Sequence, residues 1–228
     1  MYCIAGLTLP LPPTQAVEGL VVLTTFRFLQ YGVSRMRAAA AVAKAEAGAI
    51  RTLPTTFIGK VVSPVHGIAG FITPVTYLLC VTVNRFMQPG WMQRMSLPHN
   101  YTHQETEVAL RVAACASTFV LLSFMGRALK HLGNQWHGIG RREKPKLVQT
   151  GPYAVVRHPV YIAMLIQQAL FSVMFWSYTP LVALGIVAAA FAMKMPIEEE
   201  LIMKDPAVGA EYRAYMQRVP ARVIPFVW

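Results

Sequence analysis

Long apolar segments alternate with short polar ones along most of this chain. Five segments come close to the roughly 20 residues that a helix needs to cross a bilayer core. They lie at 15–33, 61–83, 107–129, 155–175 and 178–195. The first contains Glu18 and Arg27, so a position in the membrane interface fits it as well as a crossing does. The pattern predicts an all-α integral membrane protein with about five transmembrane helices.

The connections refine this prediction. Only a few residues around 177–180 separate the last two segments, and so short a link predicts an antiparallel helical hairpin. Pro64 and Pro74 predict a kink in the second segment. The Ala-rich stretch 38–49 predicts a short helix lying on the membrane, with a solvated linker as the alternative. Helical spacing from Gly209 to Tyr215 predicts a short helix near the carboxyl end.

Composition supports a membrane location. The chain is 55% hydrophobic and only 14% charged, whereas soluble domains carry about 25% charged residues. The mean hydropathy is +0.43. The net charge of +11 arises from basic residues placed between the apolar segments rather than on one face. This distribution argues against nucleic acid as a partner and favours contact with the lipid bilayer.

The basic residues also predict an orientation. They concentrate in 34–60, 130–150 and the tail from 194, while 84–106 carries few of them. Five crossings place the three basic segments on one side, which is therefore cytosolic. The glycosylation sequon Asn100-Tyr101-Thr102 lies in the poorly charged loop and agrees with a lumenal position for it. We divide the chain into amino-terminal transmembrane helices and loops, 1–130, and a region with the polar motifs, 131–228.

Several kinds of site are not indicated. The cysteines Cys3, Cys80 and Cys115 are scattered and show no CxxC or Cys/His spacing, so we predict neither a disulfide framework nor a metal site. The sequence contains no GxGxxG or P-loop motif for a nucleotide. No Ser/His/Asp or Cys/His arrangement for a nucleophile is apparent.

Two polar clusters flank the predicted hairpin. Arg157 and His158 precede Pro159, which is favoured in the first turn of a helix, and a helix amino terminus attracts anions. Glu198 and Glu199, near the end of the last segment, return to the same face and suit a ribose diol or an ammonium group. The alternatives are an arginine reaching lipid phosphates, a histidine capping the helix, and a solvated acidic run.

The segment from Lys146 to Tyr153 should be extended and then turn, because Gly151-Pro152 opposes a helix. Its backbone amides suit an adenine edge, on which Tyr153 can stack; an ordinary loop is the alternative. We interpret Tyr212, Tyr215 and Trp228 as anchors in the membrane interface.

These motifs together resemble the isoprenylcysteine carboxyl methyltransferase family from about Leu132 to the carboxyl end. The motifs are Leu147-Val148-x-x-Gly-x-Tyr153, Arg157-His158-Pro159-x-Tyr161, Glu198-Glu199, Glu211-Tyr212-x-x-Tyr215, Val219-Pro220 and Ile224-Pro225. There are two departures. Pro145 stands where the family usually has a histidine. Lys194 stands where the family usually has an arginine, and lysine keeps the charge but cannot bind a carboxylate in the bidentate geometry of arginine.

The resemblance implies a multi-pass enzyme of the endoplasmic reticulum membrane with its catalytic face in the cytosol. It would transfer a methyl group from S-adenosylmethionine to the carboxylate of a carboxy-terminal prenylcysteine on CaaX-processed proteins. By the same resemblance, Arg157, Lys194 and Glu199 are catalytic residues, with Arg157 holding the acceptor carboxylate. The cofactor-binding residues are Lys146, Leu147, Val148, Gly151, Tyr153, His158, Tyr161 and Glu198.

Three other functions fit parts of the pattern. A phospholipid or other small-lipid methyltransferase would share the architecture, but its amine acceptor would benefit from a general base. A sterol-type reductase using NADPH shares the Arg-His-Pro-x-Tyr pattern. A non-catalytic membrane scaffold is compatible with the departures at Pro145 and Lys194.

Overall fold

The computed structural model describes residues 2–4, 7–9, 12–98, 104–137 and 139–225. Most of these residues form seven helices: α1 (Pro13–Ala47), α2 (Phe57–Val83), α3 (Gly90–Gln93), α4 (Gln104–Leu132), α5 (Pro159–Phe175), α6 (Thr179–Met203) and α7 (Gly209–Arg218). Short strands pair antiparallel, β1 (Tyr2–Ile4) with β2 (Leu7–Leu9) and β3 (Ile50–Thr52) with β4 (Arg141–Arg142). Short 3-10 helices lie at Gly133–Gln135 and Gly151–Ala154.

The helices confirm an all-α membrane protein. Among the described residues, three stretches are long and apolar enough to cross a bilayer, Phe57–Val83, Gln104–Gln135 and Thr179–Met203, and α5 is a shorter apolar helix. They overlap the predicted segments. The helix α2 continues through Pro64 and Pro74. The count of five crossings stays a prediction.

The first helix is longer than predicted. The sequence predicted a segment ending at 33 and a separate surface helix at 38–49, and this division is wrong: α1 runs without a break from Pro13 to Ala47. Alanine has the highest helix propensity, and Ala43 and Ala47 are fully buried, so the Ala-rich stretch extends the helix. It ends at Gly48, whose φ of 77° suits a residue without a Cβ.

The hairpin prediction is confirmed. Only Trp176–Tyr178 separate α5 from α6, and the two helices pack against each other. The Ser172 hydroxyl donates to the Ser177 carbonyl at 2.6 Å, and the Tyr178 amide donates to the Met95 carbonyl at 2.9 Å. The fourth segment becomes helical at Pro159 rather than at 155. The tight turn places the start of α5 beside the end of α6.

A buried polar cluster holds four helices together at the end of the bundle where this turn lies. Glu18 of α1 accepts hydrogen bonds from Tyr77 of α2, from Arg111 of α4 at 2.7 Å and from Gln88 at 3.0 Å. The Nε of Arg111 donates to the carbonyl of Met174 in α5 at 2.9 Å. We call these residues the Glu18 cluster.

The three basic segments meet at the opposite end. β3 pairs with β4, Arg142 donates to the carbonyl of Gly48 at 2.7 Å, and Arg141 contacts Asp205 at 3.0 Å. Parts of the three basic segments therefore lie together, and the side of the membrane on which they lie stays a prediction. The predicted sequon at Asn100 lies outside the described residues.

Candidate active site

A cavity opens where α5 begins and α6 ends, on the face of the basic segments. It holds about 840 Å³ of empty space, part of it open to solvent. We call it the hairpin cavity. The predicted site residues that line it are Lys146, Leu147, Val148, Tyr153, Arg157, His158, Tyr161 and Glu198. The other predicted residues, Gly151, Lys194 and Glu199, are not among its lining.

Consecutive glutamates on α6 have different surroundings. Successive helical residues point about 100° apart, so the two carboxylates diverge. Glu198 lines the cavity, and its carboxylate oxygens accept from the Tyr161 hydroxyl at 2.7 and 2.8 Å. Lys194, one turn earlier, has its Nζ 3.6 Å from Glu198 and 5.1 Å from the centre of the Tyr161 ring. Glu198 is thus a fixed acidic wall of the cavity.

Glu199 is 1% exposed and lies in a cluster of basic side chains. Its carboxylate accepts from Arg157 Nε at 2.8 Å, from His158 Nε2 at 3.2 Å and from Arg222 Nη2 at 2.9 Å. A buried carboxylate stays ionised only when it is paired and hydrogen-bonded in this way. The predicted opposition of the acidic run and the Arg157-His158 pair is confirmed.

Arg157 also fastens the carboxyl-terminal tail to the hairpin. Its Nη1 donates to the carbonyls of Val219 at 2.7 Å and Pro220 at 2.6 Å. The backbone amides of Arg157 and His158 donate to the carbonyls of Ala221 and Arg222. Carbonyl groups of the tail therefore accept hydrogen bonds from the backbone amides that precede α5. Glu199 and the tail carbonyls together orient the Arg157 guanidinium.

The segment that enters α5 is extended and then turns, as predicted. Thr150 is extended, and a 3-10 helix follows over Gly151–Ala154. Gly151 has a φ of 62°, and a Cβ there would lie 2.5 Å from Nε2 of His131. A glycine meets both constraints. The side chain of Gln135 accepts from the Lys146 amide at 3.0 Å and so fixes the start of this segment.

Two tail tyrosines were misinterpreted from the sequence. The prediction that Tyr212 and Tyr215 are anchors in the membrane interface is wrong, because they are 3% and 2% exposed and line the hairpin cavity. The Tyr215 hydroxyl donates to the Tyr153 carbonyl at 2.6 Å. Burial raises the pKa of Tyr215 to about 12, and burial with the nearby Glu199 charge raises the pKa of Tyr212 further. Trp228 lies outside the described residues.

Sequence reasoning also missed polar residues of the loop before Lys146. Gln135, Trp136, His137 and Arg141 line the cavity. Burial, then the positive charges of Arg141 and Arg142, lower the pKa of His137 to about 4. The available signal was the concentration of basic residues in 130–150, which we used only for orientation.

The fold and site define a helical membrane protein with a cavity of mixed polar and apolar lining at the mouth of a hairpin. Residues 112–204 match the model of the isoprenylcysteine carboxyl methyltransferase family. The chain is also similar to protein-S-isoprenylcysteine O-methyltransferase B of Arabidopsis thaliana, with 37% identity over 103 residues. That alignment covers 45% of this chain and 49% of the relative, so the chain spans about half the length of the curated relative it matches. The predicted resemblance is confirmed: residues 112–204 are similar to the isoprenylcysteine carboxyl methyltransferase family.

Proposed function

We propose that this protein transfers a methyl group from S-adenosylmethionine to the carboxylate of a carboxy-terminal prenylcysteine on CaaX-processed proteins. The observation that carries the proposal is the hairpin cavity itself. The matched segment contributes an acidic wall, Glu198, and two basic residues, Arg157 and His158, to one concave site beside apolar helices. A polar cofactor and a lipid-modified acceptor need a site where polar side chains lie beside apolar helices.

The chemistry of the lining fits the cofactor. Glu198 offers a buried carboxylate for a ribose diol or an ammonium group, and the Tyr161 hydroxyl holds that carboxylate in place. Leu147 and Val148 offer an apolar surface, and Tyr153 an aromatic one, for a purine. Lys146 and His158 complete the lining that we assign to the cofactor, and Gly151 permits the turn that positions Tyr153. When bound, S-adenosylmethionine supplies an electrophilic methyl group on a sulfonium.

The acceptor is a carboxylate, which is ionised at neutral pH and needs no general base. We assign its recognition to Arg157, which lines the cavity and is oriented by Glu199 and the tail carbonyls. Glu199 and Lys194 act here as positioning residues, one for Arg157 and the other for Glu198. Alignment of two reactants in one site lowers a barrier by about 7–11 kcal/mol.

The apolar helices supply binding energy for the prenyl group. Each buried methylene of a lipid chain contributes about 0.8 kcal/mol. A prenyl chain lying against the membrane-embedded helices would thus contribute much of the acceptor's affinity. The shared basic face favours a cytosolic orientation by the positive-inside rule. We propose the endoplasmic reticulum membrane as the location, by analogy with the family.

The test is methyl transfer from labelled S-adenosylmethionine to N-acetyl-farnesylcysteine in membranes containing this chain. Base-labile label on the acceptor is expected, because a carboxyl methyl ester is hydrolysed by alkali. Arg157→Ala should abolish turnover and leave cofactor binding largely intact; near-normal activity would refute its assigned role. Binding of S-adenosylhomocysteine without transfer would redirect the proposal to another lipid acceptor, and absence of binding would refute it.

A further inference from the structure

Arg141 and His137 bring unsatisfied polar atoms to the hairpin cavity. Both side chains line it. The Nη2 of Arg141 and the Nδ1 of His137 are buried and have no hydrogen-bond partner within the part of the chain that the structure describes. A buried donor without a partner destabilises a fold, and a charged one does so most. The Nη2 of Arg141 is always a donor, so its place in the cavity wall indicates a ligand that accepts hydrogen bonds, and the Nδ1 of His137 donates to the same ligand in its Nδ1–H tautomer.

Arg141 is held rigidly with the Nη2 of its guanidinium unused. The side chain is buried, at 7% exposed, and its Nε donates to Asp205 at 3.0 Å. Asp205 is itself fixed, since its other carboxylate oxygen accepts from the Ala207 amide at 2.9 Å. The backbone is fixed as well, because Arg141 pairs with Thr52 between β4 and β3. The guanidinium is therefore preorganised toward an acceptor.

The neighbouring arginine shows a different use of the same side chain. Arg142 is equally buried, but its nitrogens donate to the carbonyl of Trp136 at 2.8 and 3.1 Å and to that of Gly48 at 2.7 Å. It is thus saturated by the backbone of the loop. The unpartnered Nη2 is therefore specific to Arg141 and is not shared by the neighbouring arginine of the same loop.

The proposed reaction brings two carboxylates into one cavity. One belongs to the acceptor cysteine and the other to the amino-acid end of the cofactor. Arg157 already binds Glu199 and two tail carbonyls, so one arginine is insufficient for both. We infer that Arg141, with His137 beside it in the wall, is the second carboxylate-binding group of the hairpin cavity. This inference rests on the proposed function.

The chemistry of both side chains suits this ligand. A guanidinium presents parallel N–H groups that match the two oxygens of a carboxylate. Because the pKa of His137 is lowered to about 4, its ring is neutral at pH 7 and donates one N–H. The carboxylate is the acceptor's or the cofactor's, and binding measurements distinguish the two.

The experiment compares Arg141→Met with the matched control Lys144→Met, in purified full-length protein. Lys144 is exposed on the same loop, and its replacement removes the same charge. Binding is titrated with S-adenosylhomocysteine and with 5′-methylthioadenosine, which lacks the amino-acid end. If Arg141 binds the cofactor carboxylate, Arg141→Met should weaken S-adenosylhomocysteine binding about 10- to 100-fold and leave 5′-methylthioadenosine binding unchanged.

A second pair of ligands tests the acceptor. If Arg141 binds the acceptor carboxylate, Arg141→Met should weaken N-acetyl-farnesylcysteine binding by a similar factor and spare its methyl ester. Unchanged affinity for both carboxylates would overturn the inference while leaving the proposed function intact. A wild-type protein that binds neither S-adenosylhomocysteine nor 5′-methylthioadenosine would instead overturn the proposed function. If Arg141→Met does not fold, Arg141→Lys and His137→Asn are tested by the same titrations, and unchanged affinities in both overturn the inference.

Discussion

Replacing Glu199 with glutamine removes a charge from a buried position and nearly preserves the shape of the side chain. The carboxylate accepts from Arg157 at 2.8 Å, His158 at 3.2 Å and Arg222 at 2.9 Å. Breaking a buried ion pair costs about 3–5 kcal/mol, because one charge is left without compensation. The glutamine keeps part of the hydrogen bonding, so we expect about 3 kcal/mol. For a chain of this size that corresponds to a fall of about 6–12 °C in Tm.

Thermal unfolding of purified protein in detergent measures this effect, with Glu200→Gln as the control. Glu200 is the next residue on α6, its side chain is 58% exposed, and it pairs with Lys204 on the surface. Exposed pairs of this kind contribute about 0–1 kcal/mol, so the control should unfold within about 4 °C of the wild type. Equal shifts in the two variants would refute the view that Glu199 organises the cluster of basic side chains.

Three further predictions concern the cavity. Tyr161→Phe removes the hydroxyl that donates to Glu198 at 2.7 Å and should weaken S-adenosylhomocysteine binding about tenfold; an unchanged dissociation constant would contradict this role. Gly151→Ala forces a side chain into a φ of 62° and against His131, so it should lower the unfolding free energy by about 1–3 kcal/mol, measured by denaturant titration. Folding lowers the pKa of His137 from 6.5 to about 4, so its stabilisation is complete above about pH 6.5 and decreases as the pH falls toward 4. His137→Asn should flatten the dependence of stability on pH in that window; identical profiles would contradict the prediction.

The hairpin mouth was predictable because its signals are local. A short link fixes α5 against α6, and the start of one helix must then face the end of the other. Pro159 marks the first residue of α5, and Glu198 and Glu199 lie near the end of α6. The hairpin therefore places Arg157 beside the acidic pair. The contact between Arg157 and Glu199 at 2.8 Å is the result.

The rest of the site depends on contacts between residues that are far apart along the chain. The Tyr215 hydroxyl binds a carbonyl 62 residues earlier, and Arg157 binds the tail over a similar separation. Hydrophobic periodicity reports which face of a helix is buried but not which loop covers it. Tyr215 has the composition of a membrane-interface residue, and only its burial in the structure reveals its place in the cavity. In the same way, the place of Arg141 in the cavity could not be predicted, because it is one of many basic residues that indicate only the orientation of the chain in the membrane.

The Glu18 cluster has a consequence for how the chain enters the membrane during translation. An uncompensated charge within a bilayer costs up to about 3 kcal/mol on insertion scales, and the arginine that neutralises Glu18 lies 93 residues later, in α4. At about 5–20 residues per second, the ribosome needs roughly 5–20 s to supply it. We therefore expect α1 to be weakly retained until α4 emerges. A nascent chain stopped before residue 57, which contains α1 without the apolar α2, should be extracted by alkali.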